Sequence, residues 1–220
     1  MARLAPISSQ EGIKREVWTF YSSLYPPVPE TEEAVSARHC LLQQDLPRLS
    51  PRQRLLLDEG PSDREFLDTL CLLPAGKSRG LDGMLREILL ELWPFVGSLY
   101  YAATVQFWES GELPQCFKEG LLFLIPKTLD PDKLSQWRPI TLLNITYKVF
   151  AKLVAIRLAL VLQSIVPPEQ QGFIKGRSTQ NCVLAFAVMH EALKRDQKSA
   201  LFFTLDQEKA YDRLLPQFLW

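Results

Sequence analysis

One hairpin pattern constrains the fold of this chain more than any other feature of the sequence. The segment "GLLFLIPK", residues 120–127, is short and continuously apolar, which is typical of a strand. A polar loop, "TLDPDKLSQWRP", follows it, and "ITLL" at residues 140–143 has the composition of a returning strand. Together the three segments predict a long antiparallel hairpin.

Helical patterns lie on both sides of this hairpin. Apolar residues at helical spacing predict a first helix over residues 11–25, a long one over residues 84–108 and another over residues 144–166. Pro94 is expected to kink or divide the second of these, because proline cannot donate the backbone hydrogen bond that a helix interior needs. A further helix is predicted to begin after Ser178, a residue type that favours the N-cap.

Two serines predict the starts of shorter helices in the first third of the chain. Ser50 precedes Pro51, and proline is favoured in the first turn of a helix. Ser62 is followed three residues later by Glu65, which is the sequence signature of a capping box. We assign these segments to a helical N-terminal arm at residues 1–75.

The composition is that of a globular protein with a hydrophobic core. Of 220 residues, 47% are hydrophobic, and 25 basic residues balance 25 acidic ones. The charge is unevenly distributed, because residues 133–177 contain only one acid, Glu169. The basic residues of this run are Lys133, Arg138, Lys148, Lys152, Arg157, Lys175 and Arg177. The run predicts a basic surface, and a solvated helix face explains it about as well.

Cysteine and histidine spacing does not indicate a metal site or a disulfide framework. The two histidines are far apart, and no cysteine belongs to a CxxC pair. The cysteines are Cys40, Cys71, Cys116 and Cys182. We interpret them as reduced, mostly buried thiols. No stretch approaches the roughly 18 uninterrupted apolar residues of a membrane span, so the sequence predicts a protein of the nucleus or cytoplasm without a membrane partner.

Asp206 is the acid most open to a functional interpretation. An apolar strand pattern, "ALFFTL" at residues 200–205, ends on this residue. An acid at the tip of a buried strand is held at the edge of a sheet, where a metal ion or substrate can approach it. The same position suits an N-cap for the following segment "QEKAYDRLL", and position alone favours that structural role.

Several motifs, in order, resemble those of the reverse transcriptases of non-LTR (LINE-type) retrotransposons. The loop "GKSRGLDG" is similar to the loop that leads into the fingers of these enzymes. "LIPK" and "WRPITLLNITYKVFAKLVAIRL" are similar to the fingers hairpin and its following helix. "QQGFIKGRST" matches the next fingers-to-palm motif, and "LDQEKAYD" resembles the first catalytic motif of the palm.

This resemblance covers residues 76–220 and implies an α+β fold. The implied architecture is a truncated right-hand polymerase: a helical N-terminal arm, fingers with an antiparallel hairpin, and the first strand and helix of a palm. The fingers are implied at residues 76–199 and the start of the palm at residues 200–220.

The resemblance also implies a metal site at the start of the palm. Asp206 corresponds to the first metal-binding carboxylate, and the backbone carbonyl of Gln207 to a further ligand of Mg²⁺. Tyr211 corresponds to the aromatic residue that packs under the sugar of the incoming nucleotide and excludes a 2′-hydroxyl. The family more often has phenylalanine there, and a core position for Tyr211 remains open.

Three cations are implied to bind substrate. Lys127 and Arg138, on the two arms of the hairpin, correspond to residues that close on the triphosphate. Arg177 corresponds to a residue that shapes the nucleotide or template site. Taken without the motifs, the first two are ordinary surface charges, and a plain helix-entry turn explains the sequence around Arg177 nearly as well.

The function that follows from the resemblance is templated addition of deoxynucleotides. The implied partners are an RNA template, a DNA primer and deoxynucleoside triphosphates. Two-metal chemistry needs several clustered carboxylates, and the sequence carries the motif of only the first, so we expect this chain to be inactive by itself. The alternative is a catalytically inactive remnant or a module that only binds nucleic acid.

Overall fold

The structure is a computed structural model that describes residues 9–24, 29 and 31–206, apart from the side chain of Cys116. The described part is mainly helical. Its helices are α1 (Gln10–Leu24), α2 (Glu32–Leu42), α3 (Pro51–Asp58), α4 (Asp63–Leu72), α5 (Arg86–Ser110), α6 (Gln115–Lys118), α7 (Ile145–Ile165) and α8 (Thr179–Arg195). Two strands, β1 (Leu121–Pro126) and β2 (Trp137–Leu142), lie between α6 and α7, with a 3₁₀ turn at Leu134–Gln136.

The two strands form the predicted hairpin. They pair in antiparallel register, with Ile125 opposite Arg138 and Pro126 opposite Trp137. The predicted loop of residues 128–139 is shorter in the structure, because Trp137 and Arg138 already belong to β2. Most side chains of both strands are exposed, so the hairpin stands at the surface.

The core lies where α4, α5 and α7 meet. Phe66 and Leu70 of α4, Leu89 of α5 and Val149 of α7 are fully buried there. The ring of Phe66 stacks on Trp93 with the ring centroids 5.5 Å apart. Burial of side chains of this size contributes about 1.5–3 kcal/mol each. Because α4 precedes residue 75, the core includes the end of the segment assigned to the N-terminal arm, and the boundary at that residue stays a prediction.

Helix α5 continues through Pro94 as one element, so this proline does not divide it. The helix ends at Gly111, whose φ of 68° is one that glycine adopts without steric cost. By length and composition α5 could cross a membrane, with a mean hydropathy of 1.3 over its best 18-residue window. Core helices pass the same test, and Leu89 and Phe107 of α5 are buried within this chain. The prediction of no membrane partner therefore stays a prediction.

The predicted caps are confirmed with one exception. Ser50 and Gln53 form a complete capping box at α3, and the hydroxyl of Ser178 accepts from the N–H of Gln180 at α8. The hydroxyl of Ser62 accepts from the N–H of Glu65 at 3.1 Å. The carboxylate of Glu65 does not complete the second box, because it binds a distant arginine instead.

Two predictions about burial and pairing are wrong. Residues 200–205 form no strand, because a strand needs a hydrogen-bonded neighbour and the described residues offer none. The cysteines are not mostly buried: Cys40, Cys71 and Cys182 are free and exposed. Cys182 lies on α8, a helix without buried residues. The helix predicted after Asp206 lies outside the described residues.

Candidate functional site

The hairpin brings Lys127 and Arg138 to one face. Arg138 is directly opposite Ile125, and Lys127 follows Ile125 by two residues in the direction of β1. The ladder extends to Lys127, whose N–H donates to the carbonyl of Gln136 at 2.8 Å. Since cross-strand partners and residues two apart share a face of a sheet, the two cations are diagonal neighbours. Both residues are exposed, and a ligand can reach them from solvent.

The loop between these cations has an ordered hydrogen-bond network. The ammonium of Lys127 donates to the carbonyl of Ser135 at 2.9 Å. The side-chain oxygen of Gln136 accepts from the N–H groups of Asp132 and Lys133, at 2.7 and 3.1 Å. The hairpin therefore presents its cations on a structured loop rather than on a loose one.

The guanidinium of Arg177 forms hydrogen bonds within the loop that contains it. It donates to the carbonyls of Val166, Pro167 and Gln170, all of which lie just after α7. These bonds close the segment between α7 and α8. The structure thus gives Arg177 a role in the shape of this loop, and its contact with a nucleotide or template stays a prediction.

Asp206 is the last residue that the structure describes, and it is exposed. The other two residues of the implied metal site, Gln207 and Tyr211, lie outside the described residues. Among residues 9–24, 29 and 31–206, no three histidine, cysteine or acidic side chains are close enough to hold a metal ion. Asp206 alone does not fit a two-metal centre, because two metal ions need several clustered carboxylates.

Comparison with known proteins gives these residues their context. Residues 125–220 match the family described as reverse transcriptase (RNA-dependent DNA polymerase). The matched segment begins inside β1 and includes both hairpin cations, Arg177 and Asp206. Residues 125–220 belong to the reverse transcriptase family.

Two relatives place this reverse transcriptase segment among transposon proteins. The chain is 33% identical over 215 residues, or 97% of its length, to the transposon TX1 uncharacterized 149 kDa protein of Xenopus laevis. It is 29% identical over 161 residues, or 68% of its length, to the probable RNA-directed DNA polymerase from transposon BS of Drosophila melanogaster. The chain spans only 16% and 17% of these relatives.

These findings confirm the resemblance to non-LTR retrotransposon enzymes. They support a fragment of an RNA-directed DNA polymerase of that type, and the family implies a polymerase-like fold, a divalent metal cofactor in general, a nucleic-acid template and nucleotide substrates. The alternative of an inactive remnant or a simple binding module is not favoured.

A buried polar cluster that sequence reasoning missed lies between α7 and the start of α4. Arg157 of α7 is 7% exposed, whereas its place in the basic run had suggested a surface charge. Its guanidinium binds both carboxylate oxygens of Glu65, with Nε to Oε1 at 2.8 Å and Nη2 to Oε2 at 2.6 Å. It also donates to the carbonyl of Leu56 in α3 and to those of Glu59 and Gly60 in the α3–α4 connection.

This cluster shifts the titration of both partners. Hydrogen bonds from Arg157 hold the pKa of Glu65 below its ordinary value of 4.5. The same bonds raise the pKa of Arg157, which therefore stays charged. The guanidinium also lies 5.0 Å from the ring centroid of Trp108, whose indole N–H donates to the carbonyl of Asp58. The only sequence signal was an arginine inside the apolar run "LVAIRLAL".

The Gly-bearing loop before α5 packs against the start of α7. The side-chain oxygen of Asn144 accepts from the N–H of Asp82 at 3.3 Å, and Lys148 donates to the carbonyl of Ser78 at 2.9 Å. Gly80 lies so close that an added Cβ would be 2.6 Å from the backbone nitrogen of Asn144 and 2.7 Å from its Cα. Two of the family-like motifs, "GKSRGLDG" and "LLNITYK", therefore meet in space.

Proposed function

We propose that this chain supplies the fingers and the start of the palm of an RNA-directed DNA polymerase. The longer protein adds deoxynucleotides to a DNA primer along an RNA template. One observation carries this proposal: Lys127 and Arg138 lie on the same exposed face of an ordered hairpin, within the segment that matches the family. A planar guanidinium binds phosphate oxygens in pairs and an ammonium adds a mobile charge, which together suit a triphosphate.

The proposed architecture is a truncated right-hand polymerase. Residues 1–75 form a helical arm, residues 76–199 the fingers and residues 200–220 the start of the palm. Exposed apolar side chains in residues 201–205 support the last assignment, because a palm needs further strands to cover them. These side chains are Leu201, Phe202, Phe203 and Leu205.

The proposed metal is Mg²⁺, held in the longer protein by Asp206 and the backbone carbonyl of Gln207. Hard cations of this kind prefer oxygen ligands. Tyr211 is proposed to exclude ribonucleotides by contact with the sugar. Arg177 is proposed to set the shape of the nearby nucleotide or template site. We place this activity in the nucleus or the cytoplasm.

The test is primer extension on an RNA template by a protein that carries this chain together with the rest of its polymerase domain. Asp206→Asn keeps the size of the side chain and removes its charge, so it should abolish extension and leave template binding nearly intact. Arg138→Ala should raise the deoxynucleotide concentration needed for extension, since a well-placed donor is worth on the order of 10² to 10³ in rate. Tyr211→Ala should keep deoxynucleotide addition and admit ribonucleotides.

Asp45→Asn is the matched control for the metal assignment, because Asp45 is also an exposed aspartate in an irregular segment. It should leave extension unchanged. Near-full extension by the Asp206→Asn protein would show that Asp206 only caps a helix.

A further inference from the structure

One uncharged residue, Gln136, makes four hydrogen bonds in the hairpin loop. Gln136 accepts the N–H groups of Asp132 and Lys133 through its side chain, and its own N–H donates to the carbonyl of Lys133 at 2.9 Å. Its carbonyl accepts the N–H of Lys127 at 2.8 Å. Four hydrogen bonds at one residue therefore tie the far side of the loop to its base.

Apolar packing does not replace these bonds at the tip. Leu129 is fully exposed, and the neighbouring residues 128 and 130 are exposed as well. The tip of the loop is therefore held by hydrogen bonds, each of which contributes modestly to stability. The loss of two accepted bonds at Gln136 should therefore loosen the loop without unfolding the protein.

Both hairpin cations are placed through this residue. The ammonium of Lys127 rests on the carbonyl of Ser135, immediately before Gln136, and Arg138 follows two residues after it. A change in the backbone at residues 135–136 would move the two cations relative to each other. Binding of a triphosphate to both cations would then cost more free energy, because the cations would have to be ordered on binding.

We propose that Gln136 is a positioning residue that fixes the hairpin loop so that Lys127 and Arg138 are preorganised for a nucleotide triphosphate. This inference rests on the proposed function. Gln136 itself does not need to touch the nucleotide, and its effect acts through the geometry of its neighbours.

The first measurement is amide hydrogen exchange by NMR on the complete 220-residue chain. Gln136→Leu keeps the size of the side chain and removes the acceptor, so exchange at Asp132 and Lys133 should accelerate about tenfold, as expected for the loss of one hydrogen bond. The melting temperature should not change. Gln136→Glu retains an acceptor of equal reach and should restore slow exchange. Gln106→Leu, the same change at an exposed site on α5, should alter neither amide.

The second measurement is a titration of the same chain with deoxythymidine triphosphate, followed at the side-chain signals of Lys127 and Arg138. We expect Gln136→Leu to weaken this binding about tenfold, in line with the loss of a preorganising bond, while Gln106→Leu binds as the unaltered chain does.

Two results would overturn the inference: unchanged exchange in the Gln136→Leu chain, or faster exchange with undiminished nucleotide affinity. The second result would make Gln136 a purely structural residue. A failure of the proposed function looks different, because the unaltered chain would then show no response to the nucleotide at Lys127 or Arg138. In that case the role of Gln136 in nucleotide binding falls as well, whatever the exchange rates show.

Discussion

Arg157 on α7 binds Glu65 on α4 through two parallel hydrogen bonds, and it connects residues that are 92 positions apart in sequence. The same guanidinium donates to one carbonyl of α3 and to two carbonyls of the α3–α4 connection. A guanidinium has five N–H donors in a fixed plane. Here they join α7 to the start of α4 and to the segment from Leu56 to Gly60. The pair therefore fixes the position of α4 against α7, where the hydrophobic core lies.

Removal of Arg157 should destabilise the protein strongly. Arg157→Ala leaves Glu65 without its partner and strands carbonyls that the guanidinium had satisfied, and loss of one partner of a buried pair costs about 3–5 kcal/mol. The partial exposure of Glu65, at 33% of its side chain, places the expected value at the lower end of that range. Urea denaturation of the two chains measures the difference.

Arg64→Ala, on the same helix as Glu65, is the matched control for Arg157→Ala. Arg64 pairs with Asp68 at 3.0 Å, but the two side chains are 80% and 54% exposed. A pair of this kind contributes about 0–1 kcal/mol. An equal loss of stability in the two variants would contradict a special role for Arg157.

Stability should fall at acidic pH, and Glu65 should account for part of the fall. The pKa of Glu65 is lowered in the folded state, so its contribution is complete above its ordinary value of 4.5. That contribution is lost as the pH falls through the folded value, because the carboxylate must then be protonated. Glu65→Gln should flatten the dependence of unfolding free energy on pH below about 4.5, the unfolded value.

Glu87 gives a control for this pH effect. The pKa of Glu87 is also lowered, chiefly by the hydrogen bond from the N–H of Gly76. Glu87→Gln should therefore remove a separate part of the dependence of the unfolding free energy on acidic pH. A Glu65→Gln protein with the same pH profile as the unaltered chain would show that the ion pair does not contribute.

Gly80 should not tolerate a side chain. Gly80→Ala places a methyl group against the backbone of Asn144, and backbone atoms cannot move aside as the end of a flexible side chain can. Overpacking of this kind costs about 1–3 kcal/mol. Gly60→Ala is the control, since nothing lies within 4 Å of its added Cβ. Thermal unfolding should separate the two, and equal melting temperatures would show that the loop is not held against α7.

Binding to RNA through the basic run should be weak and sensitive to salt. Of its seven cations, Arg157 is buried and Arg177 is engaged by three carbonyls. The exposed ones in that run are Lys133, Arg138, Lys152 and Lys175. At about 0.7–0.9 per phosphate, four contacts give a slope of about −3 to −4 in log affinity against log salt.

Lys152→Gln should reduce this slope by about one contact, or 0.7–0.9, in a filter-binding series over salt. Lys14→Gln, at an exposed lysine of α1 outside the run, is the control. Binding that does not change between low and moderate salt would exclude a phosphate-contacting surface here.

Local signals in the sequence were sufficient for the hairpin and for most helix starts. The capping box at Ser50 forms because the side-chain oxygen of Gln53 accepts the N–H of Ser50, while its amide nitrogen donates to Ser164. The same pattern at Ser62 is only half fulfilled, because Arg157 offers the carboxylate of Glu65 a charged fork that no local backbone N–H can equal. Position 157 is distant in sequence, so a local pattern could not show this competition.

The candidate site was predictable in its residue types more than in its geometry. Family motifs indicated Lys127 and Arg138, and the register of the hairpin then placed them on one face. The strand expected before Asp206 required a neighbour that periodicity cannot supply. The role of Gln136 was hidden as well, because an uncharged residue in a polar loop gives no signal until its hydrogen bonds are known.

The separation between Arg157 and Glu65 has a consequence for synthesis on the ribosome. At about 5–20 residues per second, Arg157 is made on the order of 5–20 s after Glu65. Phe66 and Leu70 lack α5 until residue 110 has been made, and they lack a complete α7 throughout the interval, so the nascent arm exposes part of its apolar face. Chaperones that recognise short apolar segments would meet α4 in this interval, before the chain can bury it.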